Sequence, residues 1–188
     1  MFKRKLFFIL LLVLISAGCS KQPEVCDISH RPSNFKEITT DDLSKEQLKL
    51  LNKASEVMMN SYSPYSKFRV GAAILTKDKK IFTGTNVEDA TSRTGTCAER
   101  AAIFNAVANG ATKSIVKIAL TGAGHDFDTE EVVAPCGVCR QALYEFSQLS
   151  GVDIEIIMSN TKKTKIIVAR ISELLPLAFG PKDVGMEI

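Results

Sequence analysis

Pro135-Cys136-Gly137-Val138-Cys139, read together with Cys97-Ala98-Glu99 upstream, decides how this chain is organised. Cys136 and Cys139 stand at i and i+3, so on a helix both thiols leave one face and reach a single ion. Cys97 and the carboxylate two residues beyond it complete what a catalytic zinc site needs: three protein ligands, an open position for water, and an acid/base. Pro135 opens one helix, and the alanine-rich run after Cys97 forms another, so both cysteine groups lie at helix N-termini. The positive end of the helix dipole and the free N–H groups there favour thiolate over thiol.

Outward from these segments the chain alternates helix and strand. Ser44 and Gln47 form a capping box, and Leu48, Leu51, Ala54, Val57 and Met58 make a helical stripe running to about Ser61. Residues 68–75 and 81–87 read as a hairpin around the Lys77-Asp78-Lys79-Lys80 turn. A helix over 97–108, a strand over 115–120, a helix over 136–148, strands over 152–158 and 165–171, and a short helix over 172–175 follow. This order implies an α/β fold of three layers, helices on both sides of a mixed sheet of five strands.

The 188 residues suit one domain, and 45% apolar content supplies a core. The formal charge of +3 is local, because Lys3, Arg4 and Lys5 are the only charged residues among the first eighteen. The remainder balances 21 basic against 21 acidic residues, which leaves no footprint for nucleic acid, and no such partner is expected.

Residues 1–18 read as a signal peptide, with a basic start, an apolar stretch from Leu6 to Ile15, and Ser16-Ala17-Gly18 before Cys19. The stretch falls short of the about 20 residues a spanning helix needs, so cleavage is expected, with a short uncleaved anchor as the alternative. Leu14-Ile15-Ser16-Ala17-Gly18-Cys19-Ser20 resembles a bacterial lipoprotein box, with Ser16 where leucine is more usual. That resemblance implies lipidation of Cys19, a membrane tether and, in a double-membraned bacterium, passage to the outer membrane, since Ser20 is not a retention aspartate. The expected address is exported and membrane-anchored, periplasmic or at the cell surface, and cytoplasmic if the signal is unused. Residues 19–39, with Pro23 and Pro32, read as the tether, and 40–188 as the folded domain. Cys26 is left over, to pair between chains or remain free.

Two bland readings compete for the cysteines. A redox Cys-x-x-Cys would leave Cys97 and Glu99 idle. A structural zinc site would need a fourth ligand, for which Cys26, His30 and His125 are the candidates.

Five further pieces stand in order along residues 61–181: Tyr65-Ser66-Lys67-Phe68-Arg69-Val70-Gly71-Ala72-Ala73, Asn86-Val87-Glu88-Asp89-Ala90, Cys97-Ala98-Glu99-Arg100-Ala101-Ala102, Pro135 through Gln141, and Glu173-Leu174-Leu175-Pro176 with Phe179-Gly180-Pro181. Together they resemble a cytidine deaminase of the small, three-cysteine, homotetrameric class. The resemblance implies a cytidine deaminase-like fold, zinc on Cys97, Cys136 and Cys139, and hydrolytic deamination of cytidine or 2′-deoxycytidine with release of ammonia. It makes Glu99 the proton shuttle and Phe68, Asn86, Glu88 and Ala98 the nucleoside's contacts. Phe179 would reach the site of a neighbouring subunit, and Arg100 would offset the negative zinc–thiolate centre by hydrogen-bonding its sulfurs. Arg140 reads as a surface helix cation.

The chain departs from the family pattern at Ser92, where tyrosine is usual, at Arg93 and Arg69, where proline is common, and at Asp89, where asparagine is usual. These changes bear on the sugar end of the site and on the subunit interface. A modified cytosine nucleoside such as blasticidin S, or a non-catalytic nucleoside-binding lipoprotein, are the alternatives. Glu99 speaks against the second, because a binder needs no proton shuttle.

Overall fold

The computed structural model describes residues 35–91 and 94–187. The signal segment, Cys19, Cys26, His30, Ser92 and Arg93 lie outside the described residues. The elements in chain order are β1 (Glu37–Ile38), α1 (Lys45–Met58), β2 (Phe68–Thr76), β3 (Ile81–Thr85), α2 (Ala98–Ala108), β4 (Ile115–Gly124), α3 (Gly137–Ser150), β5 (Glu155–Ser159), β6 (Ile166–Arg170) and α4 (Ile171–Leu174). They build one sheet in the order β1-β6-β5-β4-β2-β3. The β4–β5 pair is parallel and the others are antiparallel.

The sheet has six strands where the sequence implies five. The sixth, β1, pairs Glu37 with Ile167 and Ile38 with Ile166, so the folded unit starts before Thr40. Two residues carry no readable alternation; the free edge of β6 is what recruits them.

Period-two alternation sorts each strand's side chains to two faces. Ala73, Leu75, Ala119, Ile157 and Ile166 pack with Leu50, Leu51 and Ala54 of α1. Ala72, Ile74, Ile118, Leu120, Ile156 and Met158 pack with Ala102 and Ile103 of α2, Leu143 of α3, and Ile171 and Leu174 of α4. Three layers result, as the order of elements implies. Ser44 caps α1 as read from sequence, its Oγ accepting from Gln47 N at 3.2 Å while Gln47 Oε1 accepts from Ser44 N at 2.8 Å. Leu50 and Leu51 are fully buried, worth roughly 1.5–3 kcal/mol each. Among the described residues no helix is long and apolar enough to cross a membrane.

One contact positions the site directly. A Cβ on Gly84 of β3 would stand 2.2 Å from Ala102 N and 2.6 Å from Ala98 O, so the first turn of α2 lies on bare backbone. That turn carries Glu99 and follows Cys97. Gly84→Ala is therefore expected to destabilise the fold by about 1–3 kcal/mol and to lower zinc bound per chain, read by thermal denaturation and metal analysis.

Candidate active site

Cys97 is the N-cap of α2 and Cys136 the N-cap of α3, both with extended backbone. Cys139 lies one turn into α3 and is fully buried. The three sulfurs lie within 4.8 Å of one another, with Cys97 and Cys136 Sγ 3.9 Å apart. Tetrahedral zinc with sulfur at about 2.3 Å requires sulfurs about 3.8 Å apart, so the donor set fits the ion in number, softness and spacing. Hydrogen bonding from Cys139 and Cys136, helped by the charge of Arg100, lowers the Cys97 thiol to about 6. Cys139 is driven the other way by its bond to Cys97 and by burial.

Among the described residues the ligand-type cluster contains these three cysteines and no fourth member. His125 turns instead to Ser63, its Nε2 3.1 Å from Ser63 Oγ. Three ligands with one open position is the catalytic rather than the structural pattern.

Glu99 is only 4% exposed. Burial pushes its carboxyl above the ordinary range, and Cys97 beside it adds to the effect. It lines a cavity of about 510 Å³ together with Cys97, Cys136, Ala98, Phe68, Asn86 and Glu88. Cys139 sits behind that wall. Phe179 is exposed and outside the cavity of its own chain, its carbonyl accepting from Gln141 Nε2 at 2.7 Å.

Arg100 sets its guanidinium over the Phe104 ring, 5.6 Å from the centroid, and its charge favours the Cys97 thiolate. Arg140 is no surface cation: its Nε donates to Pro135 O at 2.9 Å and its Nη1 to Leu174 O at 3.0 Å. It fixes the entry to α3, and with it Cys136, against α4.

Asn86 also lines the cavity; its Oδ1 accepts from Val70 N at 2.8 Å and from Ser61 Oγ at 2.6 Å, while its Nδ2 donates to Phe68 O at 2.9 Å. One amide proton remains for a ligand. Glu88 accepts from Tyr65 N at 2.9 Å and Ser66 N at 3.2 Å. Ser66 and those backbone groups hold its carboxyl below the usual carboxylate range.

Residues 44–152 match the family described as "Cytidine and deoxycytidylate deaminase zinc-binding region". The chain belongs to that family. It is 38% identical over 136 residues to the cytidine deaminase of Halalkalibacterium halodurans, covering 72% of this chain and 96% of that one. The crystal structure of cytidine deaminase from Burkholderia pseudomallei superposes with a TM-score of 0.63 at 36% identity, spanning 73% of this chain and 100% of that one. The blasticidin-S deaminase of Bacillus cereus is 32% identical over 145 residues, covering 74% of this chain and 96% of that one.

Within this family frame the structure adds a residue that sequence reading missed. Phe127 lies against Phe68 with ring centroids 6.3 Å apart, and Gly124 leaves the room, since a Cβ there would meet the Phe127 ring at 2.2 Å. The only signal in the sequence is an aromatic three residues past a glycine in a polar loop, too weak to read.

Asp89 closes its turn by accepting from Thr91 N at 2.7 Å and Thr94 Oγ1 at 2.8 Å. Its side-chain bonds with Thr91 and Thr94 lower its pKa from 3.8 to about 2. A depressed folded pKa contributes stability above the unfolded value, lost as pH falls through the folded one. Between pH 3.8 and 2 the wild-type urea midpoint is expected to fall more steeply than that of Asp89→Asn.

Proposed function

We propose that the chain catalyses zinc-dependent hydrolytic deamination of cytidine and 2′-deoxycytidine to the uridine nucleosides. The observation that carries this reading is a single cavity lined by Cys97, Cys136 and buried Glu99 together with Asn86 and Glu88, with the Cys139 sulfur within 4.8 Å of the other two. Its volume of about 510 Å³ falls within the roughly 300–1,000 Å³ of small-molecule sites.

Cys97, Cys136 and Cys139 would hold zinc, which would supply a water of lowered pKa. Glu99 would accept one proton from the attacking water and deliver it to ring N3 as oxygen adds to C4; it would then take the remaining proton from the new C4 hydroxyl and pass it to the amine, so that ammonia leaves as the C4 carbonyl forms. Its raised proton affinity, set by burial, suits a group that must both hold and release a proton. Phe68 gives the flat base an apolar wall, and Asn86 and Glu88 offer a donor and an acceptor to the sugar hydroxyls.

The cavity's sign of charge favours a nucleoside over its 5′-monophosphate. Its described lining holds Glu88, Asp89 and Glu99 and no lysine, arginine or histidine. A phosphate would meet carboxylates instead of a cation. The same acidic mouth supports a second reading, a cytosine nucleoside bearing a cationic group, as the likeness to a blasticidin-S deaminase suggests.

The test follows loss of cytosine absorbance for cytidine, 2′-deoxycytidine, cytidine 5′-monophosphate and blasticidin S with zinc-loaded protein lacking residues 1–19. Turnover of the first two and not the monophosphate is expected. Folded, zinc-replete protein that turns over none of the four refutes the enzyme reading in favour of a nucleoside-binding protein.

The same reading takes the chain as a homotetramer and an exported lipoprotein. Exposed Tyr62, Tyr65, Phe104, Val138 and Phe179 are apolar surface of the kind subunit contacts cover. Lipidation rests on the lipoprotein-like residues 14–20. Cys19→Ser is expected to move the protein from the membrane fraction to the soluble one, and unchanged membrane association would point to an uncleaved anchor.

A further inference from the structure

Phe68 and Val70 of β2 bind the Asn86 amide, and the short segment of residues 61–67 before them binds both Asn86 and Glu88. Tyr62 N donates to Asn86 O at 3.2 Å and Glu88 N to Tyr62 O at 2.9 Å, so the segment is strapped along residues 86–88. Ser61 contributes its hydroxyl to Asn86, and Tyr65 and Ser66 contribute their N–H groups to Glu88. His125, just past the end of β4, pins this strap twice. Its backbone N donates to Lys67 O at 2.8 Å, and its Nε2 lies 3.1 Å from the Oγ of Ser63, which is 2% exposed.

The side chains form a continuous line from His125 to the cavity. Ser63 Oγ and Ser61 Oγ are 3.2 Å apart, and Ser61 Oγ is 2.6 Å from Asn86 Oδ1. A hydroxyl has one proton, and Asn86 Oδ1 is the nearest of the acceptors around Ser61. Ser63 Oγ lies within reach of the same Ser61 donor as an acceptor, and it pairs in turn with His125 Nε2. Val70 N–H already requires oxygen at the inner position of the Asn86 amide. The line therefore joins the imidazole, through two serine hydroxyls, to an amide with one N–H left for a ligand.

We infer that His125 is a positioning residue for the sugar end of the cavity, acting through Ser63 and Ser61 on Asn86. This rests on the nucleoside reading of the site, in which Asn86 meets a sugar hydroxyl. The neutral residues of the line carry no chemistry of their own; they fix where one N–H points.

The test separates cytidine from 2′,3′-dideoxycytidine, which lacks the hydroxyls that Asn86 would bind. His125→Phe keeps a ring of similar size and loses the nitrogen that pairs with Ser63. It is expected to raise KM for cytidine about five- to tenfold, as loss of one ordered hydrogen bond does, with kcat within about twofold. The inhibition constant of 2′,3′-dideoxycytidine, measured against cytidine turnover, should not change. His125→Gln, whose terminal amide places a hydrogen-bonding group near the same point, should restore the cytidine KM. Ser61→Ala breaks the line at its other end and should reproduce the His125→Phe pattern, so it decides the matter if His125→Phe does not fold. An unchanged cytidine KM, or an equal loss for both ligands, overturns the inference while leaving the enzyme reading standing. Wild-type protein that deaminates no nucleoside overturns both.

Discussion

Glu99→Gln is expected to keep its zinc and to lose about 10⁴-fold in kcat, the upper end of what a positioned general acid/base contributes. The residue is in the first turn of α2, two positions after a metal-ligand cysteine, and nearly sealed from solvent. Glutamine preserves volume and one hydrogen-bonding oxygen but can neither accept the water's proton nor give it up. The three thiols are untouched, so zinc per chain, cytidine binding and thermal stability should remain close to wild type. Metal analysis beside the rate decides the matter: a variant that retains more than about a tenth of wild-type kcat assigns the proton transfers to another group.

The second large effect is on the metal itself. Cys139→Ser should leave the protein without stoichiometric zinc and without measurable turnover, because the nucleophile then reverts from a water of pKa about 7 toward bulk water at 15.7. Cys139 suits this test better than Cys136. It is fully buried, whereas Cys136 is exposed. A hydroxyl there is a harder and far less acidic ligand in the same volume. The two variants divide the site's work, since Glu99→Gln should lose rate with metal retained and Cys139→Ser should lose both. Zinc retained by Cys139→Ser at wild-type stoichiometry would remove that sulfur from the ligand set.

Much of this was legible in one dimension, for identifiable reasons. The β2–β3 hairpin, the three long helices and the burial of both faces follow from local period and from caps that a few neighbouring residues supply, as at Ser44 and Gln47. Convergence of Cys97 with Cys136 was readable because each begins a helix after a strand, on the same sheet. The short strand β1, the seat of Arg100 over Phe104, and the anchoring of Arg140 to Pro135 and Leu174 were not readable. Each depends on which distant carbonyl, ring or strand edge stands opposite, and no periodicity encodes that.

By itself the sequence determined the layer order, and it pointed to the three sulfurs, the Glu99 carboxylate, and Asn86 and Glu88 as the groups proposed to do the chemistry. These are matters of residue type at fixed spacing on regular elements. Only the tertiary structure decided how they are held: Gly84 letting α2 rest on β3, Phe127 backing Phe68, and His125 reaching Asn86 through two serines. Those contacts join segments up to 62 residues apart. They exist because folding brings particular donors, acceptors and surfaces within a few ångströms, a condition that spacing along the chain does not specify.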